Sequence, residues 1–242
     1  MNIQWKGNEH TNKSSREGVK PFVIVDHIAE ATIGSVDNWF TDPGNDNCSA
    51  HFCVGKNGEI HQYVKIEDYA WANGLAAGMW NDAPAKVVRD MNCNPNYYTI
   101  SIEHEGTDGD LTDDQFYASA WLHRYIMDYV KNTFGVTMTL GNYNVIGHNQ
   151  VDPKRKPCCP GDKFPWDRLY TELAKAEKMT LKEYEMELDY VRSGLYGLQF
   201  AFQTAARVKD LSDKLNGQYQ AQAIEKLSKI GRFLVDNELM NP

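Results

Sequence analysis

The stretch Pro21-Phe-Val-Ile-Val-Asp-His27 constrains this chain more than any other. It is apolar and β-branched, and a polar lead-in, residues 1–20, precedes it. Branched side chains pack well on a pleated surface, and an apolar run without alternation belongs in a sheet interior, so this segment is expected to be a buried central strand. Such a strand delivers His27 at its end, where an ionisable, metal-competent group meets the edge of the core.

A loop rich in Asn, Asp, Pro and Gly, residues 41–47, leads to two further strand-like segments, residues 51–54 and 59–64. They flank Lys56-Asn57-Gly58, whose Asn-Gly pair tolerates the positive φ of a tight turn, so an antiparallel pair is expected. Residues 97–105 alternate, with Ile100, Ile102 and His104 on one face and Thr99, Ser101, Glu103 and Glu105 on the other. Two carboxylates therefore share a face with hydroxyls. Thr112-Asp-Asp-Gln115 has the form of a capping box, which opens a helix to about Asn132 with a core face that includes Phe116, Ala120, Tyr125 and Met127. A short strand at residues 143–146 then presents His148, a Pro- and Lys-rich loop leads to Cys159, and helix resumes near Trp166.

The 242 residues accommodate one good-sized domain plus an appendage, at roughly 150 residues per domain. A second capping box, Thr180-Leu-Lys-Glu183, precedes Leu181, Tyr184, Leu188, Val191, Leu195 and Leu198, spaced in steps of three and four. The expected division is therefore a main domain over residues 1–178 and a helical region over residues 179–242, whose seam suits core packing or a homo-oligomer. The formal net charge of -8 leaves no basic footprint for nucleic acid. The opening is polar and no apolar run is long enough to span a bilayer, so neither a secretory signal nor a membrane anchor is expected, and synthesis in the cytoplasm is. Five cysteines make no even disulfide framework, and a reduced chain with a thiolate on metal fits them better.

Zinc takes nitrogen and sulfur donors at the corners of a tetrahedron, and a catalytic site leaves one corner open. His27, His148 and one thiol of the Cys158-Cys159 doublet would fill the other three. Spacing does not decide the matter, because each of these residues taken alone also reads as an ordinary packing residue.

Several motifs, taken in order, add to this reading: Ile24-Val-Asp-His27, Asn38-Trp-Phe40, Ser49-Ala-His-Phe52, Gly55-Lys-Asn-Gly-Glu-Ile-His-Gln-Tyr63, Tyr98-Thr-Ile-Ser-Ile-Glu-His-Glu-Gly106, Val145-Ile-Gly-His148 and Cys159-Pro-Gly-Asp-Lys-Phe-Pro-Trp166. Together they resemble the N-acetylmuramoyl-L-alanine amidase type 2 family, from about Lys20 to Leu169. The resemblance implies an α/β fold, a central mixed β-sheet flanked by helices as in peptidoglycan recognition proteins, with the C-terminal α-helical region added to it. It also implies Zn2+ as cofactor, peptidoglycan as partner, and hydrolysis of the amide between N-acetylmuramic acid and L-alanine.

Carried over residue by residue, the resemblance places the family's zinc ligands on His27, His148 and Cys159, the last because it directly precedes Pro160-Gly161. It places the catalytic carboxylate on Glu103. Many members carry a Lys two residues before the third ligand; here Pro157 stands there and Lys156 one residue further away, open either to an oxyanion-stabilising role or to an ordinary solvated one. Ala70-Trp-Ala-Asn-Gly74 departs from a common Ala-Trp-His-Ala-Gly. His51 is expected to border the cleft, His61, His104 and His123 to be structural, and Trp39, Trp71 and Trp80 are candidates for stacking on sugar or peptide. The alternative function is a non-catalytic peptidoglycan-binding module on the same fold, and its typical loss of the third ligand is not seen at Cys159. Phage endolysin and bacterial autolysin remain open, as does wall targeting by the helical region.

Overall fold

The computed structural model describes residues 1–175. The seam expected from Leu181 onward and the domain boundary at residue 178 lie outside the described residues. The described part is the expected α/β arrangement, a mixed sheet between helices.

Six strands form the main sheet: β1 (Ile3–Trp5), β3 (Val23–Ile28), β4 (Phe52–Val54), β5 (Ile60–Gln62), β7 (Thr99–His104) and β8 (Val145–Gly147). Their spatial order is β1-β5-β4-β7-β3-β8. The run expected to be central is so, with β3 parallel to β7 on one side and to β8 on the other. β4 and β5 form the expected antiparallel pair. A separate two-stranded sheet pairs β2 (Lys13–Ser15) with β6 (Asp68–Ala70). Thus the polar opening, read only as a lead-in, contributes two short strands.

Alternation along β3 and β7 divides the core. Ile24, Ile100 and Ile102 face one side, where they meet α3 (Asp113–Phe134) and α5 (Trp166–Ala174) through Phe116, Leu122, Ile126, Val130 and Leu169. Val23 and Val25 face the other side, against α2 (Lys86–Met91) and α4 (His148–Val151) through Val87, Val88 and Val151. α1 (Ile33–Phe40) lays Ile33, Val36 and Phe40 on Cys53, Tyr63 and Val64. Thr32 caps it by accepting a hydrogen bond from Ser35 N at 3.3 Å.

Helix α3 starts where expected, with the Thr112 hydroxyl accepting from Gln115 N at 3.1 Å. The reciprocal half of the box is absent, because the Gln115 amide donates to Val54 O and Glu105 O, each at 2.9 Å. It thereby joins the helix to the ends of β4 and β7. The core face is also corrected: Phe116 and Ala120 are buried, but Tyr125 and Met127 are only partly so, and Leu122, His123, Ile126 and Val130 are the deep positions. The apolar stripe follows Phe116, Ser119, Ala120, His123, Ile126 and Val130 in helical steps, which leaves Tyr125 and Met127 at its margins. Each fully buried aliphatic on this stripe contributes roughly 1.5–3 kcal/mol by burial.

Candidate metal centre

Three neighbouring parallel strands, β7, β3 and β8, end at the same edge of the sheet, where crevices form beyond strand carboxyl ends. The register pairs His27 with Glu103, so both side chains project from the same face. It also pairs Asp26 with Gly147, which starts His148 at the level of His27 as β8 passes into α4. His27 Nδ1 is 3.8 Å from Glu103 Oε1, and the rings of His27 and His148 are 4.3 Å apart.

Cys159 arrives from the loop after α4. Its carbonyl accepts from Asn149 N at 2.8 Å, and its Sγ accepts from Ile28 N at 3.4 Å. Two glycines permit this approach. A Cβ on Gly147 would stand 2.7 Å from Pro160 Cδ, and one on Gly161 would stand 2.2 Å from the Asp108 carbonyl carbon, with φ at +111°. The glycine two residues after Cys159 is thus a steric requirement of this loop.

One donor atom each from His27, His148 and Cys159 lies within 4.8 Å of the others. Ligands around tetrahedral zinc stand about 3.5 Å apart, so the trio closes on an ion by movements of slightly over an ångström at most. Cys158 lines the cleft but is outside this trio.

The electrostatics suit a cation. Burial, followed by the charges of His148, His104 and Lys156, holds His27 well below the usual histidine range. Burial and then Lys156 bring His148 down to about 4. Both rings are therefore neutral at pH 7 and have a lone pair to give. Burial, then the Glu103 charge, pushes the Cys159 thiol up to about 12. A thiolate there calls for a positive partner, and a coordinated metal supplies one. Burial raises Glu103 to about 7, with Lys156 opposing, and Glu103 Oε2 is buried without a hydrogen-bond partner. Two neutral imidazoles and a thiol beside a carboxylate with an unpartnered buried oxygen fit zinc with one open coordination position.

The cleft above these groups measures ≈ 780 Å³. Trp39 and Trp71 wall it, 45% and 36% exposed, with their indole N–H groups donated to Cys48 Sγ and Ser14 Oγ. Lys156 lines it as well and forms none of the ion pairs among the described residues. Its charge acts on His27, His148, Glu103 and Cys159, so it is within electrostatic reach of these groups. Glu30 and Cys48, neither singled out in the sequence, also line the cleft.

Two expectations fail. Trp80 is away from the cleft, donating to Asn92 Oδ1 and packing beside Val87 and Val88. His51 is buried and does not line the cleft: its Nδ1 accepts from Ser101 N at 3.0 Å, and its Nε2 lies 3.0 Å from Arg16 Nη2 and 3.2 Å from Asp68 O. The other histidines are structural as expected. His61 Nδ1 is 2.8 Å from Asp37 Oδ1, and His104 and His123 are fully buried around Asp26 and Ser119. Glu105 accepts from Lys56 N at 3.0 Å and belongs to the hairpin.

The N-acetylmuramoyl-L-alanine amidase family matches residues 17–162. The chain is 33% identical over 127 residues to the 1,6-anhydro-N-acetylmuramyl-L-alanine amidase AmpD of Haemophilus influenzae, covering 52% of this chain and 58% of that one. It is 25% identical over 187 residues to N-acetylmuramoyl-L-alanine amidase A of Achromobacter lyticus, covering 69% of this chain and 90% of that one. The match to Escherichia coli AmpD spans 64% of that relative, so the chain covers about 60% of the AmpD relatives' length. The fold is similar to a crystal structure of an AmpD derivative, with a TM-score of 0.53 and 24% identity over 71% of this chain and 94% of that one. It is also similar to a mutant endolysin from Bacillus subtilis, with a TM-score of 0.50 and 20% identity over 72% of this chain and 99% of that one. The match begins before β3 and ends just past Cys159, spanning every strand and loop that builds the cleft floor, and on it the chain belongs to the N-acetylmuramoyl-L-alanine amidase family.

Proposed function

We propose that this chain is a zinc-dependent amidase that hydrolyses the bond between N-acetylmuramic acid and the L-alanine of the peptidoglycan stem peptide. His27, His148 and Cys159 are the metal ligands in this reading. The observation that carries it is the gathering of these three donors beside a buried carboxylate, Glu103, at the ends of three parallel strands.

Zinc held there would polarise the amide carbonyl and acidify water. The protein's own part is proton handling and charge placement. Glu103, with a pKa of about 7, takes the proton of the attacking water. Lys156 lines the cleft, and its charge would offset the negative charge that develops on the carbonyl oxygen. Hydroxide adds to the carbonyl carbon, the C–N bond breaks, and Glu103 returns its proton to the departing L-alanine amine. The exposed faces of Trp39 and Trp71 are suited to the C–H surfaces of the sugar.

The biological reading is wall lysis by a protein made in the cytoplasm, with residues 179–242 serving self-association or wall targeting. Purified protein incubated with bacterial walls and with 1,6-anhydro-muropeptides is expected to release new amino groups, and Glu103→Gln is expected to abolish the release while retaining zinc. Release of reducing sugar alone would overturn the amidase reading. Tight wall binding with no product would replace it with the non-catalytic module.

A further inference from the structure

Asn73 lies in Ala70-Trp-Ala-Asn-Gly74, the segment that departs from the common pattern, and it is 1% exposed. Its backbone N–H donates to Asn96 Oδ1 at 2.7 Å, and its Nδ2 donates to Thr99 Oγ1 at 3.0 Å and to Ser101 Oγ at 3.1 Å. The Thr99 hydroxyl proton is committed to Pro95 O at 2.8 Å, so Thr99 Oγ1 accepts from Asn73. That fixes the orientation of the carboxamide and leaves Oδ1 as its free end, buried and without another partner.

His27 presents the complementary vacancy. Its Nδ1 is on the Glu103 side, 3.8 Å from Oε1, while its Nε2 is buried without another partner. Ser101 pairs with Val25 and Glu103 with His27 on the same face of the sheet, so a carboxamide resting on Ser101 sits beside the His27 ring. No hydrogen bond joins Asn73 Oδ1 to His27 Nε2 as the side chains stand, but both are buried polar ends without a partner on this one face of the sheet. Asp26 points to the opposite face, where it meets His123.

We propose that Asn73 is a positioning residue for His27: Oδ1 accepts the Nε2 proton, which holds the imidazole in the tautomer whose Nδ1 lone pair faces the metal. The proposal rests on His27 being a ligand. Without an acceptor, the ring either buries an unpaired N–H or moves its proton to Nδ1, which blocks ligation.

Two readouts on the full chain test this. In the metal-free protein, long-range 1H–15N correlation should show His27 protonated at Nε2 in the parent and as a tautomer mixture in Asn73→Ala. Competition with a chromophoric chelator should show zinc affinity falling about 10–100-fold in Asn73→Ala. Asn73→Asp keeps an acceptor facing the ring but gives up both Nδ2 donations, and should retain more zinc affinity than Asn73→Ala. Parental His27 protonated at Nδ1, or parental zinc affinity in Asn73→Ala, would overturn the proposal. Equal weakening in the Ala and Asp variants would reduce Asn73 to a packing role and also overturn it. Should Asn73→Ala fail to fold, the parental tautomer and the Asp variant still decide. His27→Ala, expected to lose zinc, separates the failures: if it binds zinc as the parent does, the ligand reading itself has failed.

Discussion

Glu103 sits in the sheet at a cost that a single substitution should reveal. Burial raises its carboxyl from 4.5 to about 7. At ~1.4 kcal/mol for each tenfold in proton affinity, ionising it in the metal-free fold costs ~3 kcal/mol relative to the unfolded chain. The sign follows from the raised value. Below pH 4.5 the carboxyl is protonated in both states and there is no cost; the cost grows as pH rises toward 7 and is constant above it. Glu103→Gln removes the charge but leaves a buried amide with its own desolvation, so the net gain is ~1–3 kcal/mol at pH 8 and near zero at pH 4. Urea denaturation of the metal-free protein and the variant at the two pH values measures this directly. Zinc should shrink the difference at pH 8, because a nearby cation stabilises the carboxylate. A variant less stable than the parent at pH 8, or a gain that does not change with pH, would refute the account of Glu103 as a desolvated carboxylate held for chemistry.

Three further outcomes are expected. Cys159→Ser should lose zinc, read by metal analysis after dialysis, while Cys158→Ser should keep about one zinc per chain, the occupancy of a single site. Because the Cys159 thiol lies near 12 without metal, zinc binding should release about one proton at pH 8 and tighten as pH rises from 6 to 9, measured by calorimetry in buffers of different ionisation enthalpy. Lys156→Ala should lower kcat by ~100-fold or more with little change in KM, if its charge acts on the developing oxyanion.

The parts of this molecule that were legible in the sequence are those in which a short pattern has one physical solution. The apolar run ending at His27 had to be interior, and alternation through residues 97–105 had to separate Ile100 and Ile102 from Glu103. Those two strands with β8 carry His27, Glu103 and His148 to one edge, so much of the site followed from period and order. What stayed hidden depends on distant partners. β1, β2 and β6 are three residues each and form only against strands elsewhere in the chain. Arg16, in the polar opening, is buried and donates to the carbonyls of Ile66 and Thr99, 50 and 83 residues away. Its neighbour His51 was misplaced at the cleft for the same reason, since nothing near Ser49-Ala-His-Phe52 shows that the Ser101 amide and Asp68 carbonyl enclose the ring. Ala72 stands where the common pattern has a histidine, and the neighbouring Asn73 was not singled out; its carboxamide is placed by Thr99 and Ser101, which no local spacing reveals.

The most direct test of the central claim is hydrolysis of a defined N-acetylmuramoyl-L-alanyl peptide by the zinc-loaded chain in 18O-labelled water, followed by mass spectrometry of both products. The account predicts 18O in the lactyl carboxylate of the muramic acid and an unlabelled peptide with a free L-alanine amine. An intact substrate, or cleavage at another bond in the peptide or at the sugar, would contradict it.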